Sequence, residues 1–392
     1  MRMPTSQPPA PAFEAGPYAW LPAVLPIGKA IHHRVWGRAL LAAVLGWSPL
    51  LVLSSVEGLA WSANPRESFL LDLSSYGRYA IASPVFVLAG AVYVPYLTAA
   101  VRQLVETGIV ADEDLPAYQR LVESTRTLLA SHWIELLLLV IAVIVAITVV
   151  PLYPAGQSSW FSPIRNGEMH LSLAGWWRTL VSQPLFLSLT VVWLWRALVW
   201  VRFVARVAGL NLRLIASHPD QLGGLRFMIL PLRGFAVLAF GIGAIVASDI
   251  AEKVLFDGRP LIAYKYAIGV QVVSTLMFFG GPMLLLMKPL TTLKARGTLD
   301  YGRLASEVGH QFERKWIARD ASGSPQALDV PDFSATTDLF AIAANVRSIN
   351  VFVLDLELTL MIVLASLLPY VPVIFAVLPL DEIVRLTLGA FL

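Results

Sequence analysis

The chain contains no cysteine, which excludes disulfides, thiolate metal sites and cysteine nucleophiles. Charge is scarce too. Asp, Glu, Lys and Arg make up 14% of the 392 residues, against roughly a quarter in a soluble domain. The net charge of +3 is small, and its basic residues are spread over the connections, so there is no nucleic-acid footprint. No Asn-x-Ser/Thr acceptor is present; Asn64, for one, is followed by Pro65 and Arg66. Walker A, His-Glu-x-x-His, Gly-x-Ser-x-Gly and Rossmann patterns are also missing. These gaps lower the case for ATP-driven or hydrolytic chemistry, and no cofactor is implied.

What is abundant is apolar surface, with 57% of residues hydrophobic. A water-soluble chain of this length could not hide that much, so lipid must be part of its solvent. A bilayer core about 30 Å thick needs about 20 apolar residues as a helix. Seven stretches qualify: 39–58, 80–101, 134–152, 180–201, 227–249, 264–287 and 353–379. The expected fold is an all-α, polytopic membrane helix bundle. Pro84, Pro95, Pro184, Pro231, Pro282, Pro369 and Pro372 fall inside these stretches and suggest kinks, which lipid tolerates where neighbours satisfy the freed carbonyls. Trp36, Trp133, Trp176, Trp177 and Tyr264 fall near span ends, at headgroup depth.

Orientation follows from the basic residues between spans. Nineteen Lys and Arg fall on the side of the N-terminus and eight on the other, which places the N-terminus in the cytoplasm and the C-terminus outside. The expected location is a bacterial inner membrane. Residues 1–38 are Pro-rich, lack a signal-peptide core, and read as a disordered tail with an interfacial piece at Tyr18, Trp20 and Leu21. Residues 39–287 form a six-span bundle, and 288–350 form a cytoplasmic helical segment. Residues 351–392 supply the seventh span and an interfacial helix over Leu380–Leu392. Helical spacing within the cytoplasmic parts predicts helices over 112–131, 300–317 and 335–349, with a Ser/Gly/Pro/Asp linker at 320–332. Together they would cap the bundle, and a second copy of the chain is an expected partner beside the bilayer.

Three features could carry function. The first is the turn His218-Pro219-Asp220-Gln221-Leu222-Gly223-Gly224-Leu225. His218 and Asp220 could bind a metal or handle a proton, with Glu307 and His310 completing a site. Alternatively the turn is structural, with Asp220 capping a helix that starts near Leu222. The second is intramembrane charge at Arg196 and Arg233, with Glu135, Asp249, Glu252, Asp355 and Glu357 as possible partners. These arginines could line an aqueous path that attracts an anion, or snorkel to headgroups. The third is a break at Gly280-Gly281-Pro282, which could expose carbonyls to a solute or simply bend the sixth span. Beside it, Ala239, Gly243 and Ala247 form a small-residue stripe on the fifth span.

The His218-Pro219-Asp220-x-x-Gly223-Gly224-Leu225 turn resembles the hallmark of an uncharacterised family of bacterial multipass inner-membrane proteins. Tyr301-Gly302-x-Leu304-Ala305-Ser306, Phe312-Glu313-Arg314-Lys315-Trp316 and Leu378-Pro379-Leu380-Asp381-Glu382-Ile383 are similar to segments of the same family. Arg226-Phe227 departs from the small or apolar pair expected after the glycines. The resemblance implies relatives and no activity. The residues favour a channel or transporter-like protein for a small ion or solute. The alternatives are a membrane sensor or scaffold binding a partner through its cytoplasmic helices, and a lipid-directed enzyme with His218, Asp220, Glu307 and His310 converging.

Overall fold

The computed structural model describes residues 31–149, 158–165, 168–317, 332–353 and 355–377. The segment around Tyr18, Trp20 and Leu21, most of the 320–332 linker and the helix expected over 380–392 lie outside them. The described chain is almost wholly helical. Its helices are α1 (Ile31–Val56), α2 (Leu73–Glu106), α3 (Leu115–Leu129), α4 (His132–Val149), α5 (Leu173–Ala208), α6 (Arg226–Phe256), α7 (Leu261–Trp316), α8 (Asp332–Arg347) and α9 (Leu356–Val377). A short antiparallel hairpin, β1 (Ile164–Arg165) and β2 (Glu168–Met169), precedes α5. Six of these helices are long and apolar enough to cross a membrane; counting the pair α3 and α4, bent by 45°, makes seven.

Two spans begin about a turn or two before the apolar runs do. In α2 the cause is Asp72, whose carboxylate accepts from the Ser75 N–H at 3.2 Å. Helix then passes through the semi-apolar stretch ahead of residue 80 because Tyr79 and Ala82 face the core. In α5, Ser172 plays the same part, accepting from the Gly175 N–H at 2.9 Å. Each of these helices contains a π turn, Tyr76–Ala82 and Arg178–Ser182, shortly before Pro84 and Pro184. Proline lacks the N–H that an α-helical carbonyl four residues back would accept, and the wider turn absorbs that mismatch.

The sixth apolar stretch and the helix expected at 300–317 are one run of 56 residues, α7. It tightens to 3₁₀ geometry over Gly281–Leu286 and returns to α at Met287. Pro289 does not stop it, since it falls in the first turn after the change of geometry. At 1.5 Å per residue such a run is about 84 Å long, so its later part extends well beyond a single crossing of a bilayer core about 30 Å thick. There α8 folds back on it, with Phe333 edge-on to Phe312 at 4.8 Å and against Trp316 at 5.1 Å.

Exposed apolar surface is plainest in α4. Leu138, Ala142 and Ala146 are buried at four-residue spacing, while Leu136, Leu137, Val140, Ile144 and Ile147 are exposed. A helix apolar all round with one stripe covered presents the surface that suits hydrocarbon rather than water. By contrast α6 is the most enclosed span and touches α2, α7 and α9. The aromatic core around it includes Tyr79, Tyr93, Trp200, Phe203 and Phe235.

The connections gather at two ends. At one, Trp160 donates its backbone N–H to the Arg66 carbonyl, and Arg66 pairs with Asp257 at 3.1 Å. At the other, the Arg213 N–H reaches the Ile109 carbonyl, the Asn350 N–H reaches the Gln221 carbonyl, and Arg226 pairs with Asp355 at 2.8 Å.

Candidate functional site

The His-Pro-Asp turn is a structural knot. Pro219 occupies the second position of a turn closed by the Gln221 N–H on the His218 carbonyl. Asp220 then collects donors. Its Oδ1 accepts from the N–H of Leu222 (2.9 Å) and Gly224 (3.1 Å), and its Oδ2 from that of Arg226 (3.1 Å). His218 Nδ1 lies 2.8 Å from Oδ1 and 3.3 Å from the Asp220 backbone nitrogen. Burial pushes the Asp220 pKa up, but these backbone and histidine hydrogen bonds outweigh it and hold the carboxyl below the usual aspartate range. Gln221, Gly223 and Gly224 all have positive φ. At Gly223 the positive φ favours glycine, and a Cβ would also press on the Leu293 methyl of α7 at 2.6 Å, so the leucine side chain would have to yield.

This geometry corrects two expectations. Asp220 does not cap a helix at Leu222; the helix begins at Arg226, whose N–H Asp220 does hold. Nor do His218, Asp220, Glu307 and His310 form a metal centre. Among the described residues no three His, Asp or Glu are placed to share an ion, and Glu307 and His310 are exposed on α7. The Asp220 lone pairs are committed to the backbone. The turn instead ties α7, α8 and the α5–α6 connection together, with the Asn345 amide donating to the His218 carbonyl at 3.2 Å and the Lys294 ammonium to the Ile349 carbonyl at 2.7 Å.

The other sequence candidates are scattered. Arg233 is exposed in the second turn of α6. Arg196 is enclosed between α5 and α2, its guanidinium 5.4 Å from the Trp193 ring. The acids proposed for them have other partners: Asp249 binds Arg78, Asp355 binds Arg226, and Glu135 lies by His132. Glu252 bonds Ser74, and Glu357 is exposed near the start of α9. Gly280, Gly281 and Pro282 carry the change of helix type, with Gly280 and Pro282 buried and Met283 and Leu286 in the core.

The site that sequence reasoning missed lies at the end opposite the turn. A cavity of about 430 Å³ is bounded by the start of α2, the end of α6, the start of α5 and the segment before the hairpin. That volume suits a small molecule. Its walls carry both signs of charge, including Asp72, Asp249, Glu252, Arg66, Arg78 and Arg178. Arg78 Nη2 lies 2.8 Å and 2.9 Å from the two Asp249 carboxylate oxygens. Asp72 is held by the Trp160 indole N–H at 2.7 Å and the Ser75 hydroxyl at 2.6 Å. Arg178 is buried with its guanidinium 4.4 Å over the Phe161 ring.

Ser74 Oγ lies 2.6 Å from Asp249 Oδ1 and 2.7 Å from Glu252 Oε2, so one hydroxyl links the two carboxyl groups on the cavity wall. The sequence signal was present as Ser74 and Arg78 four apart and Asp249 and Glu252 three apart. It was hidden because Arg78 fell in an expected loop rather than on a helix.

No family model matches the chain, and neither does any curated protein or solved structure.

Proposed function

We propose that this chain is a transporter-like inner-membrane protein that takes a small charged or zwitterionic solute into the cavity between α2, α5 and α6. The observation that carries the reading is the pairing of opposite charges on one small cavity wall, where a solute of either sign finds a partner. The chain crosses the membrane seven times, α4 being the added crossing. Support comes from α3 beside α5 at the turn end and from Trp160 at the cavity end, with α4 running between them. By the distribution of basic residues the turn end is cytoplasmic and the cavity opens outside. Membership of the bacterial family with the His-Pro-Asp turn fits this layout, as does a homo-oligomer.

The experiment is flux into liposomes containing only this protein, over a panel of amino acids, organic anions and inorganic ions. We expect uptake of at least one class. We also expect Arg78→Gln and Glu252→Gln to cut it about tenfold or more, since losing one member of a half-buried polar pair costs at least about 1.4 kcal/mol of binding. Thermal melts of the same variants separate loss of site from loss of fold. No uptake across the panel, with no solute-dependent melting shift, would sink the proposal.

One observation favours a second reading. The water-standing part of α7 and its partner α8 expose Leu299, Leu304, Phe340 and Ile342, apolar residues well placed for a protein partner. A scaffold would need that surface and not the cavity. Phe340→Glu should then abolish the cellular phenotype while Arg78→Gln leaves it intact; the transport reading expects the reverse.

A further inference from the structure

Between α2 and α5, on the turn side of the bundle, stand two buried polar groups without partners. Arg196 Nε is shielded from solvent and has no acceptor, and the Tyr93 hydroxyl is likewise buried and unbonded. Tyr93 is 1% exposed. Both groups flank the same ring: Trp193 lies 5.5 Å from the Tyr93 ring and 5.4 Å from the Arg196 guanidinium. That ring is fixed, since its indole N–H donates to the Phe86 carbonyl at 2.8 Å. Tyr93 is fixed as well, because Gly234 brings the α6 backbone against it; a Cβ there would lie 2.7 Å from the Tyr93 Cα.

A guanidinium at this depth needs a negative partner, and among the described residues no acid is paired with Arg196. Helix α5 contains no acid, and the one acid of α2, Glu106, is bonded to Arg102 near the helix end. Cation–π contact with Trp193 offsets part of the charge and leaves the Nε–H donor unmet. Space exists beside them. A Cβ added to Gly90 would meet one atom within 4 Å, the Arg196 Nη1 at 4.0 Å, so a notch lies open between the α2 backbone and the guanidinium.

We propose that Arg196, Tyr93 and the Gly90 notch form a binding site for a small anion within the bundle. The guanidinium and the phenol both donate, which selects a group that only accepts: a halide or a phosphate oxygen. The phosphate oxygen could belong to free phosphate or to a lipid headgroup reaching in from the turn side. The site is separate from the cavity, about 27 Å along α5 from Arg178, and stands whether or not the transport reading holds. Arg233 has no part in it.

The test uses the full chain in phosphatidylcholine nanodiscs. In one arm bromide, and separately inorganic phosphate, replaces gluconate at constant ionic strength while thermal unfolding is followed. In the other, phosphatidylglycerol is added without halide, and native mass spectrometry counts retained lipid. A saturable rise of about 2–4 °C is expected for wild type with at least one probe. It should be reduced in Arg196→Lys and lost in Arg196→Gln. Gly90→Val, which keeps the guanidinium but fills the notch, should lose it too; this variant decides if Arg196→Gln does not fold. A response to bromide or phosphate assigns a free anion, and a response to phosphatidylglycerol alone assigns a lipid phosphate. Equal shifts in wild type and Gly90→Val, or no shift with any probe, overturn the site.

Discussion

Asp220→Ala should lower the unfolding temperature by roughly 3–5 °C, the equivalent of about 3 kcal/mol in a chain of this length. The loss is large because one carboxylate holds three backbone N–H groups, of Leu222, Gly224 and Arg226, and the His218 ring. Removing it leaves the half-buried N–H groups of Leu222 and Gly224 unmet in a loop whose glycines already sit at positive φ. Asp220→Asn keeps one acceptor oxygen and turns an NH₂ toward a donor, so it should fall between wild type and alanine. The pH dependence has a definite sign. Because the folded-state pKa is below the usual value of 3.8, the ionised group stabilises the fold above that value. The contribution fades as pH drops through the lowered folded value. The melting gap between wild type and Asp220→Asn should therefore be constant from pH 7 to about pH 5 and shrink in stronger acid. A gap that widens on acidification would contradict the hydrogen-bond scheme.

Membrane character and the rough positions of the spans were legible because lipid imposes a length and a composition on every crossing. The ends were less so. Helix α2 starts at a capping aspartate and α5 at a capping serine, and neither signal registers in an apolar count. The continuity of α7 was hidden for a related reason. A polar helix in water and an apolar one in lipid look like separate elements, although nothing in the backbone between 287 and 299 interrupts them. For the sites, spacing within a helix was readable and pairing between helices was not. Arg78 with Asp249 and Arg226 with Asp355 are separated by well over a hundred residues, so only the fold could join them. The His-Pro-Asp turn was recognisable as a unit. Its purpose rested on where the Asp220 oxygens point, which local sequence does not fix.

Gly243→Ala should prove more damaging than its single added methyl suggests, costing about 3 kcal/mol or more. The Ala239, Gly243 and Ala247 stripe of α6 was legible as a close-packing face, and the structure supplies its partner. A Cβ at position 243 would lie 2.1 Å from the Ser366 carbonyl oxygen and 3.0 Å from its carbon. Those are backbone atoms of α9, so no rotamer change relieves the clash; the two helices must part by about 1 Å. Helix α9 is the least enclosed of the six candidate spans, with Leu356 and Leu364 exposed, so its contact with α6 weighs heavily beside the smaller one with α7. Parting also strains the Gln271 amide bond to the Ser366 hydroxyl, 2.7 Å long and fully buried. Gly269→Ala and Gly302→Ala are the controls, since a Cβ at either meets nothing within 4 Å and replaces glycine in a helix interior. Those two should be neutral or stabilising by up to about 1 kcal/mol. Melting of all three variants in one detergent decides the matter. If Gly243→Ala unfolds no earlier than Gly269→Ala, the α6–α9 contact is not what fixes the last span to the bundle.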